Sequence, residues 1–364
     1  MLELEKFLEY EQPTKYIVND DNYDDSYEIP VLTAGQSFIL GYTNEQDNVF
    51  PIEKLPVLIF DDFTTSVQYV DFPFKVKSSA MKILHPTNKA NIKYFYYLLK
   101  SIKVDTNTHK RYWISEYSKR KIQEISIEEQ IEIVKKIDII NDTIQNRKKM
   151  IEDCNNYINS KFTKLFIDNV EYSEEELKSN IIEMFIGPFG SSLKNECFVS
   201  KDLGYCVVYE QKHAINKNIN DFRYVSLNKY NELKRFNILP NDIIVSCRGT
   251  IGKTYIIPEN APLGIMHPSI MKIRLDQNKY NPYFFEMLLS RYFDLKKSQS
   301  NGAIIKMAIK AKELEKEKFI RPDISIQNSF VSMVNEVQKQ INMYKKDIDD
   351  LEQLLQIKMN EYFN

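Results

Sequence analysis

Gly249-Thr250-Ile251-Gly252-Lys253-Thr254 ends in the Gly-Lys-Thr of a phosphate-binding loop. Such a loop needs a glycine five residues before its second one, so that consecutive backbone N–H groups can cradle phosphate, and Cys247 stands there. The turn reading is preferred, with the glycines supplying backbone conformations open to few other residues. Asp61-Asp62, and Asp221 with Glu232 and Lys234, have the residue types of a metal-dependent nuclease site. Adjacent carboxylates on a strand point to opposite faces, however, and an Asp with a later Glu-x-Lys is common by chance in a chain rich in Lys and Glu. His85, His109, His213 and His267 are scattered, and Cys154, Cys197, Cys206 and Cys247 form no CxxC pair. The spacing therefore supplies neither a zinc site nor a disulfide framework. The expectation is a chain with no catalytic residues, no metal and no cofactor of its own.

Charge points to another kind of chemistry. The net charge of −2 argues against a phosphate-binding surface, but the average hides a strong segregation. Residues 1–62 hold 3 basic and 14 acidic side chains, whereas residues 72–121 hold 12 basic ones against Asp105 and Glu116. Residues 189–274 again hold 12 basic against 7 acidic side chains. Each half thus carries a positive stretch interleaved with aromatics, the pattern of a nucleic-acid interface.

The elements that must position these residues come in two copies. Ser78-Ser79-Ala80-Met81-Lys82-Ile83 aligns with Pro268-Ser269-Ile270-Met271-Lys272-Ile273. Without a gap, Tyr94-Phe95-Tyr96-Tyr97-Leu98-Leu99 then falls on Phe284-Phe285-Glu286-Met287-Leu288-Leu289. Further on, Ile125-Ser126-Ile127 recurs as Ile324-Ser325-Ile326, and a helical stretch follows each. The repeat unit is half the protein. Asn281-Pro282-Tyr283-Phe284 has the outline of an amino-methyltransferase motif but lacks its second proline. The repeat places it at the start of a helix that packs on a sheet, so a core role is preferred.

Both repeated helices carry one narrow apolar stripe. Ile137, Ile144, Ile151, Ile158 and Leu165 are seven residues apart, as are Val334, Ile341, Ile348, Leu355 and Tyr362. A stripe this narrow on a helix of about 60 Å fits pairing with a similar helix, and the two are expected to pack on each other antiparallel. Arg147, Lys161 and Lys358 interrupt it. Elsewhere PVLTAGQSFIL, KLPVLIF, SVQYVDFPFKV and AMKIL read as strands, with GYTN, DDF and HPTN as breaks, and residues 91–101 as a helix. In the second half GYCVVY, DIIVSC, KTYIIP and IMKIRL are strands, followed by a helix around residues 282–291. The fold class is α+β: two mixed α/β domains, separated by two long antiparallel coiled-coil helices, in a pseudo-two-fold internal repeat. No run of eighteen apolar residues occurs, which points to a soluble, cytoplasmic protein without membrane contact.

IPVLTAGQSFILGYTN, FDDFTT, FPFKVKSSAMKIL, ISIEEQIEIVKKID, GPFGSSLK and LPNDIIVSCRGTIGK, in this order and within a two-fold repeat, resemble the specificity subunits of type I restriction-modification enzymes. The resemblance spans nearly the whole chain. It implies a target recognition domain over 1–124, a helix over 125–166, a second recognition domain over 167–324 and a second helix over 325–364. Each domain would read one half of a bipartite site on double-stranded DNA, and the helices would fix the gap. Two modification (methyltransferase) subunits would dock on the helices, and restriction or translocase subunits would join the full enzyme. S-adenosylmethionine, and ATP with Mg, would belong to those partners.

Base edges specify and phosphates position, so polar and basic loop residues are the DNA-binding candidates. They are Gln36, Thr43, Asn44, Lys75, Lys77, Ser78, Lys110, Arg111 and Tyr112 in the first domain. In the second they are Ser191, Ser192, Lys194, Gln211, Lys212, Arg248 and Lys253. Related readings are the specificity subunit of an enzyme that cuts on both sides of its site or of a solitary methyltransferase, and a coiled-coil interaction protein without a DNA role.

Overall fold

A computed structural model describes residues 1–33, 37–102, 111–168, 172–299 and 311–363. The chain forms two compact units, Met1–Ile151 with Met343–Asn364, and Glu152–Asn342. In the first unit the strands are β1 (Leu8–Glu11), β2 (Ile29–Leu32), β3 (Ile39–Thr43), β4 (Val57–Asp61), β5 (Val67–Val70), β6 (Lys75–Val76) and β7 (Met81–Pro86). Helix α1 (Ile92–Ser101) follows, and α2 (Ile127–Phe162) begins in this unit. The four strands β1-β7-β4-β5 form one antiparallel sheet in that order; β3-β2-β6 form a second, in which β2 and β6 run parallel.

The second unit repeats this plan. Its strands are β8 (Ile181–Ile186), β9 (Phe198–Val199), β10 (Cys206–Tyr209), β11 (Arg223–Val225), β12 (Asn237–Ile238), β13 (Ile243–Ser246), β14 (Thr254–Ile256), β15 (Gly264–Met266) and β16 (Ile270–Leu275). They are followed by α3 (Pro282–Gln299) and by the start of α4 (Ile324–Phe363). The order β8-β16-β13-β14 is that of β1-β7-β4-β5, again all antiparallel. In the other sheet, β9-β11-β10-β15-β12, the central pair β10 and β15 is parallel, as β2 and β6 are. Even the small ribbons match: Leu2–Glu3 pairs with Lys121–Ile122, and Glu174–Glu176 with Lys318–Ile320.

Two buried glutamines fasten each sheet helix to its long helix in the same way. Asn91 caps α1 by accepting from the N–H groups of Lys93 and Tyr94, both at 3.1 Å. The Asn91 N–H donates to Gln130 Oε1 at 2.8 Å, and Gln130 Nε2 donates to the carbonyls of Lys89 and Ile125. Asn281 caps α3 likewise and donates its N–H to Gln327 Oε1 at 2.9 Å, while Gln327 Nε2 reaches the carbonyls of Lys279 and Pro322. Capping is what the Asn-Pro-Tyr-Phe segment does, with Phe284 fully buried and Tyr283 48 % exposed. A buried glutamine with all its partners met is costly to replace, since its loss strands several backbone groups at once.

These anchors correct the alignment of the third repeated block. Gln130 corresponds to Gln327, so Ile125-Ser126-Ile127 matches Pro322-Asp323-Ile324 and not Ile324-Ser325-Ile326. Ser126 Oγ accepts from Glu129 N and Asp323 Oδ1 from Ser325 N, each next to the helix start. The two histidines near the repeated Met-Lys-Ile block are not equivalent either. His85 lies near the end of β7, whereas His267 precedes β16.

The long helices pair antiparallel within each unit. In the first unit Ile140, Ile144 and Ile151 pack on Ile348, Leu351 and Leu355. Ile137 is fully buried among the core of the first sheet, where Leu355 and Tyr362 also pack. In the second unit Ile158 and Phe162 lie in the core with Phe330, Val331 and Val334, and Ile341 is 2 % exposed. Arg147, which interrupts the stripe, is held there by Asp347 at 3.0 Å and lies over the Tyr344 ring. Lys161 and Lys358 lie over Tyr157 and Tyr362, Lys161 exposed and Lys358 half-buried and paired with Glu361.

The stripe fails at Leu165, which is 43 % exposed. A π-helical turn over Thr163–Ile167 widens the helix here, and Phe162 and Phe166 take the inward positions against Phe284 and Phe330. The break GYTN is also overturned, because β3 runs through it. Gly41 pairs with Val31 and lets Tyr23 lie so close that a Cβ would come within 2.9 Å of it. The N-terminal strand β1 and its counterpart β8 were not expected from the sequence, since neither has clean alternation.

Candidate nucleic-acid interface

In the second unit four chain segments meet at one edge of the two sheets. The parallel strands β10 and β15 end together, so that His267 N donates to the Tyr209 carbonyl at 2.8 Å. The end of β13 joins them through Cys247 N to the Ser269 carbonyl at 2.9 Å. The end of β8 joins through Gly187 N to the Ile270 carbonyl at 3.0 Å. Gly187 has no room for a side chain, since a Cβ there would lie 2.2 Å from the His267 oxygen. The four loops that leave this junction begin at Gly187, Glu210, Cys247 and His267.

The expected residues of this half therefore leave from one rim. Gln211 and Lys212 open the short helix Gln211–Asn216 that starts there. Arg248 and Lys253 flank the turn between β13 and β14, and both are exposed. Gly249 and Gly252 adopt φ of 64° and 78°, and a Cβ at Gly252 would come within 3.0 Å of the Phe293 side chain. This is a tight structural turn, as the sequence suggested. Ser191, Ser192 and Lys194 follow in the loop that starts at Gly187, with Ser191 and Lys194 exposed.

Not all of them are equally available. Lys212 is taken up by Asp221 at 2.8 Å and Glu210 at 3.7 Å, and Ser192 offers its carbonyl to Lys229. Gln211 Oε1 is buried without a partner. Sequence reasoning missed Arg223, whose guanidinium is held by Glu210 and stacks 3.8 Å above the Phe198 ring. It also missed His267 and Phe189.

The first unit has the same junction in part. Lys77 N donates to the Leu32 carbonyl at 2.9 Å, as His267 does to Tyr209. Asp62 N donates to the Ala80 carbonyl at 3.3 Å, and Tyr112 N to the Asp62 carbonyl at 3.0 Å. Lys77, exposed Ser78 and exposed Arg111 are thereby gathered at this edge. Lys77 is ion-paired with Asp21, a carboxylate of the acidic segment that precedes β2.

Three residues of the first unit are not the solvent-facing loop residues expected. Thr43 is 1 % exposed inside β3, where its hydroxyl accepts from Glu45 N. Lys75 is 1 % exposed and bonded to Glu45 Oε2 at 2.6 Å and the Asp47 carbonyl at 2.9 Å. Tyr112 is fully buried beside Trp113 in the core. Thr43 and Lys75 lie in strands and Tyr112 opens the helical turn Trp113–Tyr117, and packing turns all three side chains inward, a fact that charge and residue type do not encode. Asn44 is exposed, but Thr43 pairs with Ile29 at the start of β2, the end away from Lys77. Gln36 and Lys110 lie outside the described residues.

The groups that suggested hydrolytic chemistry are occupied. Asp62 is 2 % exposed, accepts from Trp113 N at 2.9 Å and pairs with buried Lys82 at 3.4 Å. Asp61 closes a turn by accepting from Phe63 N and Thr64 Oγ1. Asp221 and Glu232 are engaged by different lysines, Lys212 and Lys229. Burial pushes the Cys247 thiol up to about 12 and the Cys206 thiol up to about 11, which keeps both protonated and unreactive.

His213 accepts from Glu210 N through Nδ1 at 2.9 Å and faces the Asn220 carbonyl with Nε2. Burial holds its pKa below the ordinary 6.5, in keeping with a neutral ring. Burial acts on His267 in the same direction. Among the described residues no group of three His, Cys, Asp or Glu side chains could hold a metal ion. No described helix is long and apolar enough to cross a membrane.

Comparison with known proteins agrees with this architecture. The S subunit of a type I restriction-modification system from M. genitalium superposes with a TM-score of 0.60 at 15 % identity, covering 100 % of this chain and 95 % of that one. A chain from a structure addressing complex assembly and conformational transition of the type I system gives 0.60 at 14 % identity, with coverage of 100 % and 97 %. The fold is thus that of type I specificity subunits. Part of the chain is also close in sequence to one of them. The specificity subunit of the Escherichia coli type I restriction enzyme EcoR124I/EcoR124II is 53 % identical over 125 residues. The matched segment spans 33 % of this chain and 31 % of that relative. No family model matches. The resemblance read from the sequence is borne out, in a third of the chain by sequence and along its length by fold.

Proposed function

We propose that this chain is the non-catalytic DNA-recognition subunit of a type I-like restriction-modification complex. Each unit reads one half of a bipartite duplex site through the rim where its parallel strands end. The paired helices fix the gap and dock the modification subunits, which bring S-adenosylmethionine, while any motor and nuclease subunits bring ATP and Mg. The observation that supports this most is the repetition of one junction, Lys77 on Leu32 and His267 on Tyr209, with basic side chains beside it in both units. Two reading heads of one design suit a target in two parts.

The division into heads is tested by exchange. Replacing residues 1–124 by the matching domain of another specificity subunit, and sequencing methylated DNA from cells that carry the modification subunits, is expected to change one half-site. The other half-site and the gap stay as they were. A change in both halves of the motif would refute independent reading.

A further inference from the structure

We propose that Phe189 is an apolar DNA-contacting residue of the second unit, seated against a base of the half-site that this unit reads. The proposal rests on the DNA-recognition reading given above. Phe189 is 86 % exposed, more than any other large apolar side chain described, Met1 included. Its loop does not dangle. Gly187 is fixed on one side by its bond to the Ile270 carbonyl and its contact with the His267 backbone. On the other side Leu193, 4 % exposed, is locked in a core cluster with Val208 and Val225. Ser192 N closes the turn onto the Phe189 carbonyl at 2.9 Å. An aromatic this exposed on a loop anchored at both ends is a displayed group, because its neighbours cover little of it.

The first unit shows that the same place in the fold can bury its aromatic. The segment after β1, Pro13–Tyr16, turns Tyr16 inward to 1 % exposure, packed on Phe50 with ring centroids 5.0 Å apart. The second unit instead leaves Phe189 exposed on a loop that starts at the junction where the turn bearing exposed Arg248 and Lys253 also starts. An exposed apolar group on a loop that starts beside a turn carrying exposed cations suits a polyanion with apolar bases. A phenylalanine there meets either the methyl group of a thymine or the face of a base opened at a flexible step.

The test uses the full chain in complex with its modification subunits, on duplexes that carry the motif found by methylation sequencing. One set replaces each adenine of the half-site by 2-aminopurine, and the other replaces each thymine by uracil. The expected result is that one 2-aminopurine brightens on binding, or one uracil weakens binding by about tenfold. Phe189→Ala removes that position-specific effect and lowers affinity about tenfold, while the melting temperature of the protein is unchanged. Phe189→Tyr restores most of both.

Wild-type affinity and an unchanged position-specific response in Phe189→Ala would overturn the proposal. So would loss of binding to the modification subunits without DNA, which would make Phe189 a protein contact. If the wild-type complex recognises no motif, the DNA-recognition reading itself has failed, and that outcome is visible before any variant is made.

Discussion

Placing Asp at both Ile144 and Ile348 is expected to lower the melting temperature of the chain by more than 10 °C, on the order of 5 kcal/mol. Ile144 is 4 % and Ile348 9 % exposed, and they meet in one cluster with Ile140, Ile151, Leu351 and Leu355. Each change removes a branched apolar side chain worth about 2 kcal/mol or more of burial and puts a carboxylate in its place. The cluster holds only apolar side chains, and the seam cation Arg147 is already engaged by Asp347, so the new charges are not offset. Ile139→Asp is the control, because Ile139 is 66 % exposed on the same helix and its replacement should leave melting within about 2 °C. Melting curves followed by circular dichroism decide the matter. An unshifted curve for the double variant would mean that the seam does not hold the helices together. If the helices set the gap between half-sites, the double variant should also lose the fixed spacing of the methylated motif.

The second large effect is on DNA. Arg248→Ala with Lys253→Ala is expected to weaken duplex binding by the assembled complex about a hundredfold, and to flatten the salt dependence of log Kd by nearly 2. Both side chains are exposed at the turn after β13, so truncation leaves the fold intact. Lys212 and Arg223, by contrast, share Glu210, and their removal would strand a carboxylate. Lys253→Ala alone should weaken all sequences alike if it meets phosphate, whereas Arg248→Ala should also relax the choice of base if it reads an edge. Fluorescence anisotropy over a range of salt concentrations measures both quantities. An unchanged slope would remove the turn from the interface.

Much of the architecture could be read from the sequence because the repeat is its own control. The Met-Lys-Ile block and the aromatic helix after it align without a gap, and both copies fold as β7 with α1 and β16 with α3. The third block slipped by two residues because Ile-Ser-Ile occurs twice by chance near the helix starts. The equivalence that matters there is between Gln130 and Gln327, whose bonds to Asn91 and Asn281 are invisible without the fold. The seven-residue stripe was legible as far as Ile158 and was lost at Leu165, since periodicity carries no sign of a π turn.

The candidate interface was half legible. Composition located the basic segments, but it cannot tell Lys75, buried on Glu45, from Arg248, open to water. Phe189 went unnoticed as an apolar residue in a polar list. Its signal was its setting between Pro188 and Gly190 just after Gly187, a turn setting in which a large apolar side chain stands out.

The central claim is that the two units read a two-part DNA site, and methylation mapped by single-molecule sequencing tests it most directly. The chain would be co-expressed with its modification subunits in cells free of other methylation. The account predicts one bipartite motif with a fixed gap, present with the chain and gone without it. A set of methylated sites that is the same whether or not the chain is present would contradict it.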